Sequence, residues 1–131
     1  MKSKLDKILA EISAGELIDK ITILEIKKAK IQNKDKLNDI EKELSSLNKT
    51  MTQFIPGEIL ISKFKAELKE INLKLWDIED EKRFAEKNKD FGEDFILLAR
   101  NVYKFNDERA KIKLAINNNL GSNIKEVKSY E

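Results

Sequence analysis

Apolar residues recur at helical spacing in four segments of this chain, and polar or turn-forming residues separate the segments. Residues 14–32 place Leu17, Ile21, Leu24 and Ile31 on one stripe, with Ile18 beside it. From residue 36 to 53, Leu37, Ile40, Leu44, Leu47 and Met51, running on to Phe54, recur at 3-4-3-4-3 spacing, the seam of a helix that packs on another helix. Residues 57–88 repeat the pattern with Ile61, Phe64, Leu68, Ile71, Leu75 and Ile78. Residues 91–119 give Phe95, Leu98, Val102, Phe105, Ile112 and Ile116, with Arg109 in a seam slot. No segment sustains the alternation of a strand, so the pattern predicts an all-α fold.

The segment boundaries carry their own chemistry. Ser13-Ala-Gly-Glu16 and Asp90-Phe-Gly-Glu93 each offer a capping side chain followed three residues later by Glu, the capping-box arrangement or a near relative. Pro56-Gly57-Glu58 puts proline at an expected first helical position, and Gly121 supplies a left-handed stop. In each start the Glu falls in the first turn, where the helix dipole favours negative charge. Gly at the second helical position also leaves room for a close backbone approach.

At 1.5 Å per residue the first two helices should measure roughly 27–28 Å and the last two roughly 43–48 Å. Short connections make neighbours antiparallel. The expected architecture is an antiparallel helical bundle, a short helical hairpin packed on a long helical hairpin. The long hairpin's overhang must bury its stripe somewhere, which leads to an expected homodimer. One domain spans residues 1–131. Its N-terminal segment, 1–12, is expected to form a turn or short helix over 3–11 around Leu5, Ile8 and Leu9, and its polar tail, 122–131, to be partly extended.

Composition narrows the chemistry. The 131 residues include no cysteine or histidine, which excludes a thiol nucleophile, a disulfide, a histidine base and the usual zinc sites. Any metal would be a hard cation such as Mg²⁺ on carboxylates and amides. The net charge is only +2, with both signs interleaved along the chain, so no nucleic-acid partner is expected. No apolar run suits a membrane span or a signal peptide, and a cytoplasmic protein is expected. Twenty-three lysines stand beside three arginines, Arg83, Arg100 and Arg109, whose planar forks lysine cannot copy.

Three polar clusters stand out. On the third helix, Asn72, Trp76, Glu79 and Arg83 are spaced 4, 3 and 4 apart, with Asp80 alongside. On the fourth, Tyr103, Asn106, Ala110 and Lys113 form a row flanked by Asp107 and Arg109. The first turns of the first helix hold Glu16, Asp19 and Lys20, and Glu25 follows. Structurally, Glu79 and Arg83 can be an ordinary i,i+4 pair, and Arg109 can fix register against a facing carboxylate. Functionally, Trp76, Glu79, Asp80, Arg83, Asn106, Asp107 and Arg109 can meet across the long hairpin to hold a phosphorylated or sugar-like ligand. The spacings Glu67-x-x-Glu70 and Asp77-x-x-Asp80 are those of all-α nucleotide pyrophosphohydrolases, but such pairs arise freely in a chain with 38% charged residues. The run Glu16–Leu24 is similar to the first helix of all-α chorismate mutases. Those enzymes need converging arginines, and the first helix here has none.

The strings Gly15-Glu-Leu-Ile-Asp-Lys-Ile-Thr-Ile-Leu-Glu-Ile-Lys27, Leu75-Trp-Asp-Ile-Glu-Asp80 with Arg83, and Phe91-Gly with Phe95-Ile96 carry a resemblance. Ala99-Arg-Asn-Val-Tyr103, Asn106-Asp-Glu-Arg-Ala110, Ile116-Asn117 and Gly121-Ser122 continue it. Together, from about residue 12 to 130, they resemble a family of small uncharacterised bacterial and phage proteins bearing a domain-of-unknown-function label. The resemblance implies no activity; it implies a setting near surface-polysaccharide or glycosyltransferase functions for some members. Its motif residues coincide with Glu16, Asp19, Lys20, Trp76, Glu79, Asp80, Arg83, Asn106, Asp107 and Arg109, the candidate ligand-binding cluster. The leading expectation is a non-enzymatic module without cofactor that binds a protein partner or a small anionic ligand. The alternative is a Mg²⁺-dependent enzyme on a phosphate-bearing substrate, with Glu79, Asp80 and Asp107 as metal ligands and Arg83 and Arg109 as clamps.

Overall fold

The structure, a computed structural model, describes residues 4–128 apart from the side chains of residues 58–60. The first-turn carboxylate expected of Glu58, and the outer ends of the 1–12 and 122–131 segments, lie outside the described residues. Four helices are present: α1 (Ala14–Lys30), α2 (Lys34–Phe54), α3 (Glu58–Lys87) and α4 (Glu93–Leu120). This is the all-α bundle of a short and a long hairpin that the apolar spacing predicts. No described helix is long and apolar enough to cross a membrane.

α1 is the central element. Leu17, Ile21 and Leu24 pack on Ile40 and Leu44 of α2, while Ile18, on the neighbouring face, packs with Ile61 and Leu68 of α3 and Ile116 of α4. A helix buried on two faces needs apolar residues on both, which explains why Ile18 and Ile26 are buried beside the Leu17, Ile21 and Leu24 stripe. Its partners change along its length. Gly15 and Glu16 meet α4 at Asn117 and Lys113, whereas Glu25 pairs with Lys65 and Lys69 of α3. α1 therefore passes obliquely over the long hairpin, from one arm to the other.

The crossing covers only one half of that hairpin. α3 and α4 run about 45 and 42 Å at helical rise, and α1 holds them between Lys65 and Asn72 on one arm and Arg109 and Asn117 on the other. Within that proximal half, Leu68 and Ile116 are wholly buried. Beyond it, between residues 73 and 108, Ile78 alone is buried among the described residues.

Three local expectations are corrected. Residues 4–12 form no helix, and Leu5, Ile8 and Leu9 are exposed, because no other element offers them an apolar face. Pro56 does not open α3: Gly57, at φ 87°, is the cap, and that left-handed turn redirects the chain after the proline. Asp90 does not cap α4 either. Gly92 does, and the Asp90 carboxylate instead accepts from the Gly92 N–H at 3.4 Å within the turn. Ser13 caps α1 as its spacing predicts, accepting from the Glu16 N–H, and Gly121 ends α4 at φ 65°.

Candidate functional site

The buried polar side chains of the described residues fall in one place. Ser13, Asp19 and Thr22 of the α1 region meet Asn72 of α3 and Lys113 and Asn117 of α4 where α1 crosses the hairpin. The start of α1 explains part of this. The first N–H groups of a helix have no partner within it. Here Ser122 Oγ accepts from Ala14, Asn117 Oδ1 from Gly15 at 2.7 Å, and Ser13 Oγ from Glu16. α4 and the turn after it thus cap α1 across the fold. Gly15 makes the approach feasible, since a β-carbon there would stand 2.5 Å from the Lys113 carbonyl oxygen.

One turn further on, charge enters the core. Asn72 donates to Asp19 Oδ1 at 2.8 Å and to Thr22 Oγ1 at 2.9 Å, and the Thr22 hydroxyl donates to the Asp19 carbonyl. The Lys113 ammonium, its side chain 7% exposed, lies 2.5 Å from Glu16, 3.3 Å from Glu126 and 3.9 Å from Asp19. Among the described residues every buried side-chain nitrogen or oxygen has a hydrogen-bond partner. Such a network is closed, and its chemistry is to fix the register of α1 on the hairpin.

Arg109 sits at the open edge of this network. Its side chain is 28% exposed, its Nε lies 4.0 Å from Asp19 Oδ2, and it donates to Asn72 Oδ1 at a long 3.4 Å. Lys20, at the other edge, pairs with Glu16 at 3.7 Å. The tail also closes on the network through Glu126. Its carboxyl is held below the usual carboxylate range, above all by the hydrogen bond from Lys128; burial opposes this, and the hydrogen bond and charge of Lys113 add to the lowering.

The structure therefore brings Glu16, Asp19, Lys20 and Arg109 together, but with Asn72, Lys113 and Asn117 rather than with the rest of the candidate cluster. Trp76, one turn after Asn72 in α3, and Asn106, one turn before Arg109 in α4, are half-buried and lie away from α1. Glu79 and Arg83 continue that α3 row and are exposed; Glu79 pairs with Lys82 at 3.4 Å rather than with Arg83. Asp80 and Asp107 are exposed and do not join Glu79. Among the described residues no three carboxylates gather in a way that would hold a metal ion. Sequence reasoning missed Lys113 and Asn117 as network members. Lys113 is one of twenty-three lysines, while Asn117 and Ser122 stand inside two of the quoted strings as the cross-fold caps of α1.

A model of the Family of unknown function (DUF6165) matches residues 8–131. The chain belongs to this family. No curated protein and no solved structure matches it. The match takes in α1, the tail that closes on it and both arms of the long hairpin, so the crossing lies wholly within the family domain.

Proposed function

We propose that this chain is a non-enzymatic binding module that takes a small anionic ligand on the ledge where α1 leaves the long hairpin. The reading is supported by Arg109: the guanidinium at the edge of an otherwise closed network makes one long hydrogen bond, has Asp19 at 4.0 Å, and belongs to a side chain that is part-exposed, while a guanidinium carries five donors. Trp76 and Asn106, one turn along each arm, supply an aromatic face and an amide beside it. A sugar phosphate fits this set, with the phosphate on Arg109 and the ring against the indole. That class also suits the surface-polysaccharide setting implied by the resemblance to bacterial and phage proteins.

Trp76 is the single tryptophan of the chain, so its emission reports on the ledge directly. Titrating sugar monophosphates and inorganic phosphate, with and without Mg²⁺, should perturb that emission, and Arg109→Gln should weaken binding about tenfold, the value of one lost charge-assisted pair. No response to any of these anions would overturn the reading. Consumption of the ligand only when Mg²⁺ is present would replace it with the metal-dependent alternative.

A further inference from the structure

The face of the long hairpin that α1 covers does not end where α1 ends. On α3, Asn72, Trp76, Glu79, Arg83 and Glu86 follow one another at 4-3-4-3 spacing. On α4, Phe95, Ala99, Val102, Asn106, Arg109 and Lys113 do the same. Such rows are seams that receive another helix. Their proximal members, Asn72, Arg109 and Lys113, hold α1. Beyond these the rows continue uncovered for about 20 Å at helical rise. They carry half-buried Trp76, Val102 and Phe95, flanked by exposed Ile96 and Tyr103, and the outer end opens into a shallow groove along Glu79, Lys82, Arg83 and Phe95.

We propose that a second copy of this chain fills these rows, the two distal arms packing antiparallel into a four-helix bundle. The surface is continuous with the seat of a helix already in place, and two identical arms overlapped in opposite directions cover each other without overhang. Charge selects that direction. Along α3 an acidic stretch, Asp77, Glu79, Asp80 and Glu81, is followed by Lys82 and Arg83 and, after Glu86, by Lys87. An antiparallel pair with its two-fold axis level with Glu81 sets Asp80 against Lys82 and Glu79 against Arg83 on both sides of the axis, whereas a parallel pair stacks like on like. Within the row, Glu79 then meets Arg83 of the second copy, and Arg83 has no ion-pair partner of its own among the described residues. This proposal does not rest on the ligand reading: the rows share Trp76 and Asn106 with the ledge, but the Glu79 and Arg83 contacts that carry it lie beyond both.

Sedimentation equilibrium of the full chain across the micromolar range tests it, with helicity followed by circular dichroism. The wild type is expected to dimerise. Glu79→Arg alone and Arg83→Glu alone should each weaken association at least tenfold, since each sets two like charges together at both symmetric contacts. The double exchange E79R/R83E should restore it to within about threefold. Both positions are exposed, so the variants keep their helicity in the monomer. Three results would overturn the proposal: a monomer throughout the range, single reversals without effect, or a double exchange that fails to restore association. Arg109→Gln should leave the dimer intact, which separates this interface from the ligand ledge.

Discussion

The two halves of the long hairpin share one sequence pattern and differ in what covers them. In the proximal half the seam residues Leu68 and Ile116 are wholly buried, and α1 roofs the pair with its polar network. In the distal half Leu75, Leu98, Val102 and Phe105 occupy equivalent seam positions but are only half-buried, and Phe84, Phe91, Ile96, Leu97 and Tyr103 are exposed. Contacts there are made at rims, such as the edge-to-face pair Phe91–Phe95 at 5.3 Å and the Lys74 ammonium 5.2 Å from the Phe105 ring centre. Two helices alone cannot bury a heptad seam. The pattern specifies that α3 and α4 pair; a third helix decides whether the pair has a core.

The largest difference between the halves should appear on removing charge. Asp19→Ala strips the network of a buried carboxylate and is expected to cost about 3 kcal/mol in urea unfolding. Asp107→Ala, on the exposed distal side, should stay within about 0.5 kcal/mol. Core truncation should show the same contrast. Ile116→Ala is expected to cost about 2–5 kcal/mol, and Leu97→Ala under about 1 kcal/mol in the monomer. A smaller contrast separates two glycines. Gly15→Ala drives a β-carbon into the Lys113 carbonyl and should cost about 1–3 kcal/mol. Gly92→Ala, whose β-carbon would meet only the Asp90 carboxylate at 3.6 Å, should cost less than about 1 kcal/mol. Equal losses within any of these pairs would break the comparison.

The smallest expected effect concerns the tail. The Glu126 carboxyl is held below its ordinary range, so its pairing with Lys128 and Lys113 contributes fully above the unfolded carboxylate pKa. That contribution is lost as pH falls through the lowered folded value. Urea stability should therefore fall by a small amount on acidification through that window, and Glu126→Gln should remove this part of the pH dependence.

Much of this was legible in the sequence, for reasons that differ by element. The four helices, the Ser13 cap and the Gly121 stop follow from local rules that hold wherever the chain goes. Asp90 and Pro56 misled because a capping side chain or a proline can serve a turn as well as a helix start, and Gly92 and Gly57 took the cap positions. The polar centre was half visible. Arg109 stood out as a charge in an apolar seam and Asp19 in the polar cluster at the start of the first helix, but Lys113 and Asn117 become meaningful only once α1 crosses α4, a relation that no one-dimensional spacing contains. Glu79, Asp80 and Asp107 looked alike on paper and separate in space, because one residue of offset on a helix turns a side chain by about 100°.

Hydrogen exchange measured as a function of protein concentration tests the contrast most directly. The account predicts strong protection of α1 and of the α3 and α4 segments beneath it at every concentration, and protection of residues 73–108 that is weak when dilute and rises as the arms pair. Protection equal in both halves in dilute solution, or distal protection indifferent to concentration, would contradict it.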